Sequence, residues 1–328
     1  MTRIYLDHAA TSPLRPQARA AMEQGLAIWA NPSSPHAEGR KAKAALEEAR
    51  ERVKEALGWA GEVIFTSGAS EALALGLGRA RASRRVVSAV EHDAVFRAAP
   101  DAQVYAEDVA LDGDTVFAVQ HVNPETGTIN PVEDMARVLG ETGALVLSDC
   151  SQSAGKLALP QVDMAVVSAH KFGGPIGVGA LLLRDFALLE PMGGHERGYR
   201  AGTENLPAIM GMAAALESGD WATSMAERAE FRAALAGDVL ELGEQVDYIT
   251  ALTHPTMSAQ ALLIRLDAMG FAVSAGSACS SGTLKKSRVL DAFGVDDDQA
   301  RRTIRVSLGW NTSAAELEAF VAVWRGLR

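Results

Sequence analysis

Cysteine is scarce in this chain: Cys150 and Cys279 are the only two among 328 residues. Two thiols cannot build a disulfide framework, and their scarcity fits a reducing cytosol. A cluster of basic residues is also missing. With 31 Lys and Arg against 41 Asp and Glu, the formal charge is −10, which speaks against a nucleic-acid or anionic-membrane surface. Long apolar runs are missing too. The opening stretch MTRIYLDHAATSP holds no apolar signal core, and no run reaches membrane-spanning length. Repeats and low-complexity segments are absent. A soluble, cytoplasmic protein with no nucleic-acid and no membrane partner is therefore expected. What is present is an ordinary globular balance, 48% apolar and 22% charged, in enough chain for two domains.

Short Val-, Leu- and Ala-rich runs are predicted as strands: Val86–Val90, Thr115–Val119, Ala144–Ser148, Met164–Ser168 and Gly179–Leu183. Their apolarity is continuous rather than alternating, as in a mainly parallel sheet covered by helices on both faces. Helical patterns lie between them. One runs over His36–Leu57 with Gly58 as its stop, and another opens at Pro131 and reaches about Glu141. Beyond about Ala222 the pattern changes. A long polar helix over roughly Met225–Glu244, a helix ending at Gly270, strands at Phe271–Ser274 and Ile304–Leu308, and a last helix opened by the Ser313–Glu316 capping box predict a smaller α+β part.

The segment Ser168–Leu183, SAHKFGGPIGVGALLL, sets Lys171 after an apolar strand and before a glycine-rich turn. That is the carboxyl end of a strand, where α/β folds place ligands. A partly desolvated amine there can attack a carbonyl. Alone, a loop lysine carries no such meaning, but others accompany it. Asp149 ends another buried strand in LVLSDCSQSAGK, where it serves either as a helix cap or as a carboxylate for a pyridinium nitrogen; Gln152 follows three residues later. Gly68, Ala69 and Ser70 in FTSGASEAL stand between a strand and a helix start, either as a plain cap or as an anion cradle. His92 follows the Val86–Val90 run, either as a lone histidine of no consequence or positioned to lie over a flat ring.

With these residues in view, the chain resembles the cysteine desulfurases, the branch of the class-V aminotransferases that share the fold of type I pyridoxal-phosphate (PLP) enzymes. The resemblance is carried almost end to end by YLDHAAT (Tyr5–Thr11), NPSSPH (Asn31–His36), TSGASE (Thr66–Glu71), Glu91-His92, HVNPETG (His121–Gly127), SAHK (Ser168–Lys171), GGHERGYRAGTEN (Gly193–Asn205), SAGSACSSG (Ser274–Gly282) and IRVSLG (Ile304–Gly309). It implies PLP as cofactor and L-cysteine as substrate, converted to L-alanine with a persulfide left on Cys279. Lys171 would carry the cofactor, Asp149 would face the ring nitrogen and Gln152 the phenolate oxygen, and His92 would stack on the ring and move protons. Ala69, Ser70, Ser168 and His170 would bind the phosphate, joined by Thr203 from a neighbouring subunit, which implies a homodimer. Arg305 would grip the substrate α-carboxylate as a fork, and Asn31 would touch the substrate. The glycine- and serine-rich surroundings of Cys279 make a polar, exposed loop suited to a travelling nucleophile, whereas Cys150, at the end of an apolar strand, is expected to be structural. No metal site is expected.

The resemblance also implies a large PLP-binding domain over 14–235, with 1–13 and 236–328 forming a small domain that bears the Cys279 loop. A sulfur-acceptor protein is implied as partner, in iron–sulfur cluster or other thio-cofactor supply. Two departures stand out. Pro124 replaces an Asn that lies beside the cofactor phenolate in the family; proline offers neither side-chain donor nor N–H, so that bond is lost or supplied by Asn123, Gln152 or water. The chain is also shortened between Tyr105 and Thr115, around Tyr248–Ser258 and at its end, so another acceptor or surface is expected. Two other functions remain open at this point: a PLP lyase, racemase or aminotransferase acting on another small amino acid, and a catalytically silent module of the same fold.

Overall fold

Element ends follow local chemistry in the computed structural model, which describes residues 3–275 and 287–327. The chain runs through β1 (Ile4–Tyr5), α1 (Pro16–Ile28), α2 (Ala37–Leu57), β2 (Glu62–Thr66), α3 (Ala69–Arg79), β3 (Arg84–Val87), α4 (Asp93–Ala98) and β4 (Gln103–Val104). There follow β5 (Thr115–Ala118), α5 (Val132–Gly140), β6 (Leu145–Asp149), β7 (Met164–Ser168), β8 (Gly179–Leu183) and α6 (Leu206–Glu217). The last stretch holds α7 (Met225–Ala234), β9 (Ile249–Thr253), α8 (Ala259–Ala268), β10 (Phe271–Ala272), α9 (Arg288–Ala292), α10 (Asp297–Arg301), β11 (Thr303–Ser307) and α11 (Ala314–Gly326). The expected α2 is present: His36 caps it by accepting from Gly39 N, and Gly58 ends it at φ 63°.

Two compact units result. One comprises Pro13–His121 and Asn130–Gly219, the other Met1–Ser12, Val122–Ile129 and Asp220–Arg328. The segments 122–129 and 220–235 thus fall with the smaller unit.

The larger unit is built on a seven-stranded sheet of order β2-β8-β7-β6-β5-β3-β4. All neighbouring pairs are parallel except those of β8, which runs antiparallel to both β2 and β7. Side chains alternate between two cores. Val63, Phe65, Val146, Val167 and Leu182 join α1, α2 and α6 on one face, while Ile64, Leu147, Val166 and Leu181 join α3 and α4 on the other. A sheet covered on both faces needs apolar residues at every strand position, which explains the unbroken apolar runs. The mainly parallel three-layer fold of type I PLP enzymes is what the structure contains. The strand expected at Val86–Val90 lies instead at Arg84–Val87. Its two arginines reach sideways, Arg84 to Ala110 O and Asp112 and Arg85 to Leu77 O, so their charges hid strand residues from a reading of apolarity.

The smaller unit holds two short sheets, antiparallel β9–β11 and parallel β1–β10. Its core centres on Leu6, Phe320 and Trp324. The Ser313–Glu316 capping box is formed as expected. The helix expected over Met225–Glu244 ends at Ala234. Beyond it the backbone is taken by other partners: Leu240 N donates to Ala251 O, Thr253 N to Asp238 O, and Val246 N to Gly127 O.

Candidate active site

Six strands of the larger unit, all but β8, share one direction, so their carboxyl ends lie along one edge of the sheet, the place where open α/β sheets bind ligands. The chain leaves β2 into Gly68–Ser70, β3 toward His92, β6 at Asp149 and β7 toward Lys171. The expected residues from four different strands are thereby brought to the same edge. Lys171 ends a single 3-10 turn, Ala169–Lys171, closed by Phe172 N and Gly174 N donating to Ala169 O. The turn is tight enough to leave the lysine half-buried.

Asp149 is half-buried and its Oδ1 accepts from Ser151 N at 2.9 Å. His92 caps α4, its Nδ1 accepting from Ala94 N at 3.1 Å, so the proton of the neutral ring sits on Nε2. The outer edge of the ring stays exposed. Burial of the remainder holds its pKa below the ordinary histidine value, with Asp149 opposing and Lys171 adding to the shift. His92 therefore lies within electrostatic reach of both other groups expected to meet the cofactor, Asp149 and Lys171. His170 is driven down to about 4 by burial and by the cations of Lys171 and Lys156. Lys156 was not anticipated as part of the site. Burial, Lys171 and Arg15 bring it down to about 7. Its place at the close of the LVLSDCSQSAGK segment was visible, but burial of a lysine is not.

The turn Thr66–Ser70 presents the start of α3. Gly68 sits at φ 150° with open space beside its Cα, and its backbone lies so near β8 that a Cβ on Gly179 would come within 2.6 Å of Val167 O and 2.8 Å of Gly68 Cα. Ser70 is exposed at the helix start, while Ser168 is buried at the end of β7. A hairpin over 193–205, closed by the His195–Arg200 bridge, is tied to the residues on either side of this turn, Phe65 and Glu71. Buried Glu196 accepts from Phe65 N at 2.8 Å and takes both nitrogens of buried Arg50, at 2.8 and 3.0 Å. Arg200 Nε meets Glu71 Oε1 at 2.9 Å, and Glu71 Oε2 accepts from Ser67 N at 2.5 Å. Glu196 and Arg197 both adopt left-handed backbone, φ 46° and 57°, a strain that such a buried clamp can hold. Thr203 lies exposed on the hairpin, and Asn31 is exposed in the α1–α2 loop with Oδ1 accepting from Ser33 N.

In the smaller unit, Arg305 is buried on β11. Its Nη2 pairs with Asp7 Oδ1 and its Nη1 donates to Pro124 O, each at 2.8 Å, while the buried Nε has no partner among the described residues. The proline at the unusual position thus serves Arg305 through its carbonyl. Asn123 Oδ1 accepts from Glu125 N and Thr126 N, closing the same turn. Tyr5, within reach of Asp7, is pushed up to about 12 by burial and that carboxylate, against Arg305. Cys279 lies outside the described residues. Cys150 is fully buried, and burial pushes its thiol up to about 12, which leaves it unreactive.

The donor set of the larger unit fits PLP. A lysine, a carboxylate, a solvent-edged imidazole and a helix N-terminus follow the carboxyl ends of β7, β6, β3 and β2 along one edge of the sheet. Two buried atoms, His121 Nδ1 and Ser151 Oγ, have no partner among the described residues, and both belong to residues bonded to Asp149: its carbonyl accepts from His121 N at 3.0 Å and its carboxylate from Ser151 N. Buried polar atoms without partners mark a place where a polar ligand belongs.

Comparison with known proteins gives the same direction. A family model described as aminotransferase class-V matches residues 4–108 and 105–320. A cysteine desulfurase of Cereibacter sphaeroides is 35% identical over 367 residues, covering 98% of this chain and 95% of that protein. Among solved structures, a NifS-like protein superposes with a TM-score of 0.87 at 29% identity, covering 99% of both chains. One described as SspA in complex with cysteine gives 0.79 at 28% identity, over 95% of this chain and all of that one.

Proposed function

The chain belongs to the class-V aminotransferase family, and we propose that it is a PLP-dependent cysteine desulfurase, taking sulfur from L-cysteine onto Cys279 and releasing L-alanine. The observation that carries this reading is the meeting of Lys171, Asp149 and His92 at one sheet edge, in a chain similar to cysteine desulfurases over almost its whole length.

PLP, when bound, supplies an electron sink for the bonds around the substrate α-carbon. Lys171 Nζ would hold the cofactor aldehyde, and as an amine it would move the α-proton of the substrate. Asp149 would face the ring nitrogen, and Gln152, buried three residues on, would face the phenolate oxygen. Ala69, Ser70, Ser168 and His170 receive the phosphate. His92 is neutral at neutral pH, so Nε2 can exchange a proton with substrate or with Cys279. Arg305 holds the α-carboxylate, for which Nε, without a partner among the described residues, offers a donor, and Asn31 contacts the substrate. The Cys279 thiolate attacks the substrate sulfur. The S–S bond forms as the Cβ–Sγ bond breaks, and the carbon fragment takes up the protons that complete L-alanine. Cysteine plus thiol gives alanine plus persulfide, with no outside oxidant or reductant.

Thr203 is proposed to reach the phosphate of a second copy in a homodimer; its exposure on a hairpin pinned from behind supports this. A sulfur-acceptor protein would take the persulfide onward, in iron–sulfur cluster or other thio-cofactor supply. A cytoplasmic setting agrees with the two cysteines; among the described residues no helix is long and apolar enough to cross a membrane. Borohydride reduction of the PLP-loaded protein tests the assignment: the modified peptide should contain Lys171, and Lys171→Ala should trap no cofactor. Modification elsewhere would overturn it.

A further inference from the structure

Glu71 stands in the first turn of α3, the helix whose leading N–H groups are assigned above to the cofactor phosphate. Its carboxylate folds back onto the same turn to accept from Ser67 N. Burial raises its pKa, but the bonds from Ser67 and the charge of Arg200 outweigh this and keep it below the ordinary glutamate value. Glu71 is thus an anion held against the mouth of an anion site. A helix N-terminus offers roughly half a positive charge, which a full carboxylate more than offsets. Left alone, Glu71 would make this turn a poor seat for a phosphate.

Arg200 changes the sign. Its Nε pairs with Glu71 at 2.9 Å, both side chains being largely shielded from water at 18% and 28% exposure. Its Nη1 also donates to Gly202 O, next to Thr203. The hairpin keeps the guanidinium in place: His195 N donates to Arg200 O at 2.7 Å, and the neighbouring Glu196 is locked by Arg50 and Phe65 N.

We propose that Arg200 is a positioning residue for the cofactor phosphate: it neutralises Glu71 at the start of α3 and so turns a capped helix end into a dianion site. The proposal rests on the assignment of PLP to this edge of the sheet. It requires that Arg200 matter to the phosphate and not to the pyridine ring, so the same apoprotein is titrated with PLP and with pyridoxal, which lacks the phosphate. Arg200→Leu should weaken PLP binding by about tenfold or more, the size expected of a partly shielded unit charge, and leave pyridoxal binding unchanged. Arg200→Lys should stay close to wild type. Adding Glu71→Gln to Arg200→Leu should restore most of the PLP affinity by removing the repulsion. Equal weakening for PLP and pyridoxal, no weakening at all, or failure of the double variant to recover would overturn the proposal. Should Arg200→Leu not fold, Glu71→Gln alone decides: tighter PLP binding with pyridoxal unchanged supports the proposal, and weaker PLP binding overturns it. A wild-type protein that binds neither compound refutes the PLP assignment instead, so the two failures are distinct.

Discussion

His92 and His170 flank the same lysine, and both are held below the ordinary histidine value, mainly by burial. The sign of the consequence is fixed. With His170 near 4 in the folded protein and an ordinary value of 6.5, the unfolded chain binds more protons between those limits. The stability of the apoprotein is therefore full above about pH 6.5 and falls as the pH drops toward 4. Urea midpoints of the apoprotein at pH 7 and pH 5 should differ by less in His170→Asn than in wild type; an unchanged difference would contradict the assignment. Arg305 carries a second expectation. Replacing its fork by a point charge, Arg305→Lys, removes the bidentate match to a carboxylate. KM for L-cysteine should rise by about tenfold or more while PLP affinity stays put, since a bond to a charged group contributes roughly 1.5–3 kcal/mol. Steady-state rates and a PLP titration together read this out. Residues at strand ends were legible in the chain, because Lys171 and Asp149 each follow an apolar run that predicts its own end. Pairings across long separations were not. Nothing in TSGASE or GYRAGTEN announces that Glu71 and Arg200 meet, and the carbonyl of Pro124 could not be foreseen as a support for Arg305.

The elements that shape the site depend on close approach of backbone to backbone. Gly179 opens β8 where a methyl group would run into Val167 O and Gly68 Cα. Neither is the flexible end of a side chain, so Gly179→Ala must push β8 away from the Thr66–Ser70 turn. A loss of about 1–3 kcal/mol in urea unfolding is expected, along with weaker PLP binding, and a neutral result would show that the turn yields freely. The Arg50–Glu196 pair is the other fixed point. Its side chains are only 2% and 1% exposed, and breaking a buried pair leaves a charge without compensation. Arg50→Met should cost about 3–5 kcal/mol, well beyond the effect of removing the exposed Arg137–Asp134 pair, as chemical denaturation would show. Elements themselves were largely legible where burial was two-sided, as in β7 and β8, which lie where the apolar runs predict. Direction was not: β8 is as apolar as its parallel neighbours yet runs against them, since apolarity reports burial and carries no polarity of the chain. The end of α7 at Ala234 escaped for a related reason, because the strand-like pairing of 238–246 is decided by partners distant in sequence.

At the scale of the whole molecule, the larger unit carries the groups proposed to hold the cofactor, and the smaller one carries Arg305 and the segment that holds Cys279. If Thr203 serves a second copy, the protein acts as a dimer. Sedimentation of the PLP-loaded protein should give a dimer, and an active, fully loaded monomer would refute that role for Thr203. The central claim is that sulfur leaves L-cysteine for Cys279. The direct test is an anaerobic single turnover of the PLP-loaded protein with L-cysteine, in which alanine is quantified and the sulfur state of each cysteine is read by mass spectrometry. Alanine should appear together with an equal amount of persulfide on Cys279 and none on Cys150. Cys279→Ser should keep its PLP and release almost no alanine. Alanine released by Cys279→Ser at the wild-type rate, or persulfide found on Cys150 instead, would contradict the account.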